Sequence, residues 1–186
     1  MEFVRIFEGE DSLLTVKYYG QDEDEFTKIF NEWTDIEYLD NFFTTNESDL
    51  KRPHWEGITI EQAIIETRRE ALKFRGHLKT MSSKTKKERI SVFIRLFQPL
   101  SYYEPELSYL NKKKVYGLRK KTWLRLYAIK VCNDMFIITG GTIKLTDRMD
   151  ERPHTLNELS KLEKCRQYLK EIGAIDDDGL LELLEL

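Results

Sequence analysis

Three runs decide the fold: Lys112-Lys113-Lys114-Val115-Tyr116-Gly117-Leu118-Arg119, Trp123-Leu124-Arg125-Leu126-Tyr127-Ala128-Ile129-Lys130-Val131, and Met135-Phe136-Ile137-Ile138-Thr139-Gly140-Gly141-Thr142-Ile143-Lys144-Leu145. Each is short and rich in β-branched or aromatic residues. Lys120-Lys121-Thr122 and Asn133-Asp134 separate them and suit hairpin turns. The pattern predicts strands over 115–119, 123–131, 135–140 and 142–145, with Gly140-Gly141 marking a bulge or bend.

If Asn133-Asp134 form a two-residue turn, Arg125 falls opposite Thr142 and Trp123 opposite Lys144. Opposed side chains share a face, and alternation adds Tyr127 to it. A three-residue turn after Arg119 brings that residue to the same face, whereas a two-residue turn at 120–121 flips it to the other. A bulge at Gly140-Gly141 likewise redirects Lys144. Trp123 or Tyr127 alone is equally well explained as core. Arg125, flanked by Leu124 and Leu126, is more telling, because a charge inside an apolar strand must reach solvent, a partner or a substrate.

Towards the N-terminus, Phe3–Phe7 and Leu13–Tyr19 flank the turn-rich Gly9-Glu10-Asp11-Ser12, which predicts a β-hairpin. The acids 22–25 then open a helix reaching Trp33, with Phe26, Ile29, Phe30 and Trp33 at helical spacing. A short helix follows over 36–43, and 46–55 reads as a loop. Thr59 with Gln62 fits a capping box, and Ile60, Ile64, Thr67, Ala71, Phe74, Leu78 and Met81 continue in steps of four and three. A second helix carries Ile90, Phe93, Ile94 and Phe97. After Pro153 a helix from about Leu156 to Ile172 ends at Gly173. The tail 176–186 alternates acids and leucines. The expectation is an α+β fold: a small, mostly antiparallel sheet packed on helices, with residues 1–58 as a β-hairpin and helical extension and 59–186 as the main portion, the two forming one compact unit.

The 186 residues, 40% hydrophobic and 34% charged, can build a real core. No apolar run approaches a membrane span, and the start lacks a secretory signal pattern. Cys132 and Cys165 are too few for a disulfide framework or zinc site. A cytoplasmic, reduced protein is expected, with no membrane partner. The net charge of −3 hides a strong asymmetry. Residues 1–74 carry 8 Lys/Arg against 18 Asp/Glu, residues 75–130 carry 15 against 3, and residues 131–186 carry 7 against 12. A basic middle between acidic ends suits a face that meets a polyanion.

The lysine-led run Lys112-Lys113-Lys114-Val115-Tyr116-Gly117-Leu118-Arg119, followed by Leu124-Arg125-Leu126-Tyr127, resembles the RelE/ParE superfamily of toxins, RelE/HigB-like and phage-derived relatives included. The resemblance extends over about 59–172: two helices, then strands, then Met135-Phe136-Ile137-Ile138, Lys144-Leu145-Thr146 and a closing helix. The chain departs from the family in several places. It has one residue fewer between Arg125 and Tyr127, a single Lys144 where relatives often have paired lysines, and the insert Gly140-Gly141-Thr142. It also lacks a convincing C-terminal tyrosine, Tyr168 lying within a helix.

The resemblance implies a RelE-like fold and an endoribonuclease that cleaves mRNA, often in the ribosome, without a metal or other cofactor. The substrate's own 2′-hydroxyl attacks the adjacent phosphate. Arg119 and Arg125 would then stabilise the phosphate. Lys144 would neutralise charge or move a proton, assisted by Tyr127. Lys112, Lys113, Lys114, Trp123 and Arg148 would hold RNA. A cognate antitoxin would be the protein partner. Two alternatives stay open: a non-catalytic nucleic-acid or protein-binding module, and a ParE-like topoisomerase inhibitor. His154 is a weaker acid/base candidate, and His54 and His77 lack metal-ligand spacing.

Overall fold

Side-chain caps decide where the helices start. In this computed structural model, which describes residues 1–101, 110–131 and 135–174, Asp24 accepts the Thr27 N–H at 3.0 Å and opens α1, Glu25–Glu32. Asp35 accepts the Tyr38 N–H at 2.7 Å and opens α2, Ile36–Thr45. The expected loop that follows contains a single-turn helix, α3 (Glu47–Leu50), and a 3-10 turn at Pro53–Trp55. The predicted capping box of Thr59 and Gln62 forms in full and starts α4, Ile60–Ser82. Helix α5 spans Lys86–Leu96 and α6 spans Pro153–Glu171, with proline in its first turn. Gly173, at φ 73°, ends α6 in the left-handed conformation that suits glycine.

The strands are β1 (Glu2–Phe7), β2 (Glu10–Lys17), β3 (Gln98–Pro99), β4 (Asn111–Tyr116), β5 (Leu124–Lys130) and β6 (Phe136–Ile143). They form one six-stranded sheet in the order β1-β2-β6-β5-β4-β3. Only β2 and β6 are parallel, so the sheet is mostly antiparallel as expected. The N-terminal hairpin supplies the two strands at one edge of this sheet, with β2 against β6. The runs expected as separate strands at 135–140 and 142–145 are continuous in β6. The expected turn at Asn133-Asp134, Cys132, the run 102–109 and the tail 176–186 lie outside the described residues.

Alternation splits the core in two. Leu124, Leu126, Ala128, Phe136 and Ile138 face a cluster built with Phe26, Phe30, Phe43, Phe74 and Phe93 from α1, α2, α4 and α5. Tyr127, Ile129 and Ile137 face the other way, towards Leu162, Cys165 and Leu169 of α6. Because α6 covers only part of this second face, side chains from β4 and β5 line an opening beside it.

A bulge in β6 decides which side chains reach that opening. Ala128 pairs with Ile138 but Tyr127 pairs with Gly140, so Thr139 is an extra residue between them. Beyond the bulge, Arg125 pairs with Thr142 as the two-residue-turn argument requires. The route differs: Lys130 pairs with Phe136, one residue out of that register, and the bulge restores it.

Candidate functional site

The opening is a cavity of about 360 Å³ whose cations come from three strands or their extensions: Lys114 from β4, Arg125 from β5 and Lys144 from just after β6. Tyr116 and Tyr127 line it as well, with Asp147 as the acid on the rim. The sheet register places Lys114 opposite Tyr127, Tyr116 opposite Arg125, and Arg125 opposite Thr142, all on one face.

Arg125 is held from two directions. Its Nη1 donates to the Thr122 and Leu124 carbonyls, both at 2.8 Å, and its guanidinium lies 4.1 Å from the Tyr116 ring centroid. Burial lowers its pKa from the ordinary value. Lys144 donates to the Thr146 carbonyl at 2.5 Å and the Asp147 carbonyl at 2.6 Å. Burial first, and then the charge of Arg125, lower the Lys144 ammonium. Lys114 donates to the Leu100 carbonyl at 3.2 Å, with its ammonium 5.8 Å from the Tyr116 ring. The Tyr127 hydroxyl contacts Met149 Sδ at 2.9 Å, and burial pushes its pKa up, so it stays a neutral phenol.

One wall of the cavity comes from far away in sequence. Trp55 Nε1 donates to the Leu145 carbonyl at 2.8 Å, and Arg52 pairs with Glu151 at 3.0 Å. Arg152 grips the buried Asp49 through two bonds, at 2.7 and 2.5 Å. These contacts lock residues 49–55 against the chain that leaves β6, and they bring His54 to the cavity.

Five expected members of the group do not line the cavity. Arg119 is beyond the end of β4, in a turn drawn to the opposite face of the sheet. Its guanidinium pairs with Glu66 of α4 at 2.6 Å, and its backbone N–H donates to Glu70 at 3.0 Å. Trp123 is 0% exposed, among Phe43 and Trp55, with Nε1 bonded to Thr67 Oγ1 at 2.8 Å. It is core, not a stacking platform. Lys113 points to the α4 side and is 5% exposed. Arg148 is an exposed partner of Asp150. Lys112 shares the α6 face but pairs with Glu163 of that helix at 2.8 Å. Tyr116, which the sequence reading passed over, is 38% exposed and stacks on Arg125. Its place was recoverable only from the β4/β5 register.

His154 packs its ring against Phe42, 5.2 Å between centroids, and burial lowers its pKa. Among the described residues no three His, Cys, Asp or Glu side chains are grouped to hold a metal ion, and no helix is long and apolar enough to cross a membrane.

The cavity can therefore take an anion: three cations converge on it, one of them a guanidinium held over a tyrosine ring. Compared with known proteins, the chain matches no family model, no curated protein and no solved structure.

Proposed function

We propose that the protein is a metal-independent endoribonuclease of RelE-like type, acting on single-stranded RNA such as mRNA, with the 360 Å³ cavity as its active centre. The observation that carries the reading is the convergence of Arg125, Lys144 and Lys114 beside two tyrosines on one sheet face. In the reaction the 2′-oxygen of the substrate bonds to phosphorus and the P–O5′ bond breaks. The 2′-hydroxyl gives up its proton and the departing 5′-oxygen gains one, leaving a 2′,3′-cyclic phosphate and a 5′-hydroxyl. Arg125 and Lys114 offset the charge that builds on the phosphoryl oxygens. Lys144, with its lowered pKa, is the group suited to move a proton. A neutralising protein partner of the antitoxin kind would cover the cavity with an acidic segment.

A second reading, a binding module without chemistry, is favoured by one contact pair. The two carbonyls that accept from Lys144 Nζ stabilise its charged form, which holds phosphate but takes up no proton.

Purified protein incubated with single-stranded RNA in a chelator distinguishes them. Cleavage leaving cyclic phosphate ends, lost in Arg125→Ala and Lys144→Ala, together with growth arrest on expression, supports the nuclease. Salt-sensitive binding with intact RNA supports the module. Unimpaired growth, intact RNA and no binding at good soluble expression defeat both.

A further inference from the structure

A second cavity, of about 320 Å³, lies on the α4 side of the turn between β4 and β5. Its lining carries both signs of charge. Glu66, Arg69, Glu70 and Lys73 come from α4, and Leu118 and Arg119 come from the turn. Arg69 and Lys73 are exposed, and Leu118 is 43% exposed, so cations and an apolar side chain stand at the surface. Glu70 is different, being only 3% exposed.

The Glu70 carboxylate is half satisfied. Oε1 accepts the Arg119 backbone N–H, while Oε2 has no hydrogen-bond partner among the described residues. Such a buried acceptor is costly, and a ligand bringing a donor removes the cost. The chain is shaped around this carboxylate. A Cβ at Gly117 would come 2.2 Å from Oε1, so only glycine lets the turn approach so closely. Arg119 fixes the turn further, with its guanidinium 5.3 Å from the Trp123 ring and paired to Glu66.

Surface cations, an exposed apolar side chain and a buried carboxylate acceptor suit a nucleotide whose base edge offers N–H donors. We propose that this cavity is a nucleotide subsite selective for guanine, with Glu70 accepting from the base, Leu118 packing on it, and Arg69 and Lys73 holding its phosphate. Guanine presents two adjacent donors, N1–H and the 2-amino group, to a carboxylate. Adenine and cytosine place a ring-nitrogen acceptor beside their single amino group, and uracil flanks its one N–H with carbonyls, so each sets an acceptor against Glu70.

The inference rests on the RNA reading above, since it gives that substrate a base preference. Tyr116 lines the first cavity and Leu118 the second, so neighbouring nucleotides of one strand would straddle the turn. The Glu70 charge is close enough to act on Arg125.

The test is titration of the full-length protein with guanosine 5′-monophosphate and uridine 5′-monophosphate, by calorimetry and by amide chemical shifts. The guanosine nucleotide should bind on the order of tenfold tighter, with shifts centred on Gly117, Leu118 and Arg119. Glu70→Gln should bring the two within about twofold. Lys73→Ala, an exposed change that remains informative if Glu70→Gln misfolds, should weaken both nucleotides to the same extent. Equal affinities in the unaltered protein, a preference that survives Glu70→Gln, or shifts elsewhere overturn the proposal. RNA cleavage without guanosine preference sinks the subsite alone. Guanosine preference with RNA neither bound nor cleaved sinks the RNA reading and leaves a guanosine nucleotide site.

Discussion

The guanidinium of Arg125 stacks 4.1 Å from the ring centroid of Tyr116, its register partner across β4 and β5. The ring and the two carbonyls under Nη1 fix the plane of the fork before any ligand arrives. Arg125→Ala should weaken single-stranded RNA binding and reduce the slope of log affinity against log salt by about one. Arg125→Lys should not restore the affinity, because the flexible ammonium cannot reproduce the stacked fork. Anisotropy titrations over a salt series measure both, and an unchanged slope in Arg125→Ala would remove the residue from the interface.

Lys144 titrates below an ordinary lysine because it is buried and because Arg125 is near. Its contribution to anion binding is therefore lost at a lower pH than a surface lysine's would be. Burial and the Lys114 ammonium also hold it down, but removing the Arg125 charge removes the largest charge effect, so the Lys144 pKa should rise in Arg125→Ala. NMR titration of the Lys144 side chain reads this directly. Identical titration curves would show that the two cations do not share the cavity.

Trp123→Phe should cost about 1–3 kcal/mol of stability, since it removes indole volume from a filled core and the donor to Thr67. RNA affinity should stay the same, because the indole lies on the face away from Arg125. Urea midpoints and RNA titrations check the two halves. Weakened RNA binding at unchanged stability would contradict the placement.

Gly140 lies where α6 presses a carboxylate onto β6. A Cβ there would sit 1.9 Å from Glu158 Oε2 and 3.1 Å from Lys161 Cδ. Gly140→Ala should destabilise by roughly 1–3 kcal/mol. Glu158→Ala should recover part of that loss, giving a non-zero coupling in a double-mutant cycle. Strict additivity would mean that the helix does not lean on this glycine.

Glu158 is 3% exposed, and burial pushes its carboxyl up to about 7 despite the Lys161 ammonium at 2.8 Å. Its folded pKa is above the unfolded one, so its protonation favours the folded state at low pH. Stability should then fall as pH rises from about 4.5 to about 7, by at most about 1.4 kcal/mol per pH unit from this group. The Glu25 carboxylate, 2.7 Å from the same lysine, stays in place. Glu158→Gln should flatten the slope in that window. Chemical denaturation at stepped pH measures it, and a slope unaltered by the amide would place the titration elsewhere.

The sequence by itself determined what is local: helices opening at the acids 22–25, near Ile36 and at Thr59, the strand character of β5 and β6, and a charged residue at 125 that had to open onto something. These follow from caps and from periods of two and 3.6, which neighbouring residues carry between them. Only the tertiary structure decided which cations share the cavity. The pairing of Arg125 with Thr142 comes from a one-residue offset at Lys130 and Phe136 reversed by the bulge at Thr139, just past the last β2 partner, Ile138. Arg119 is taken to the other face by Glu66 and Glu70, and Trp123 by the packing of Phe43 and Trp55. Each of these captures depends on groups dozens of residues away, and a one-residue change of register moves a side chain to the opposite face of a sheet.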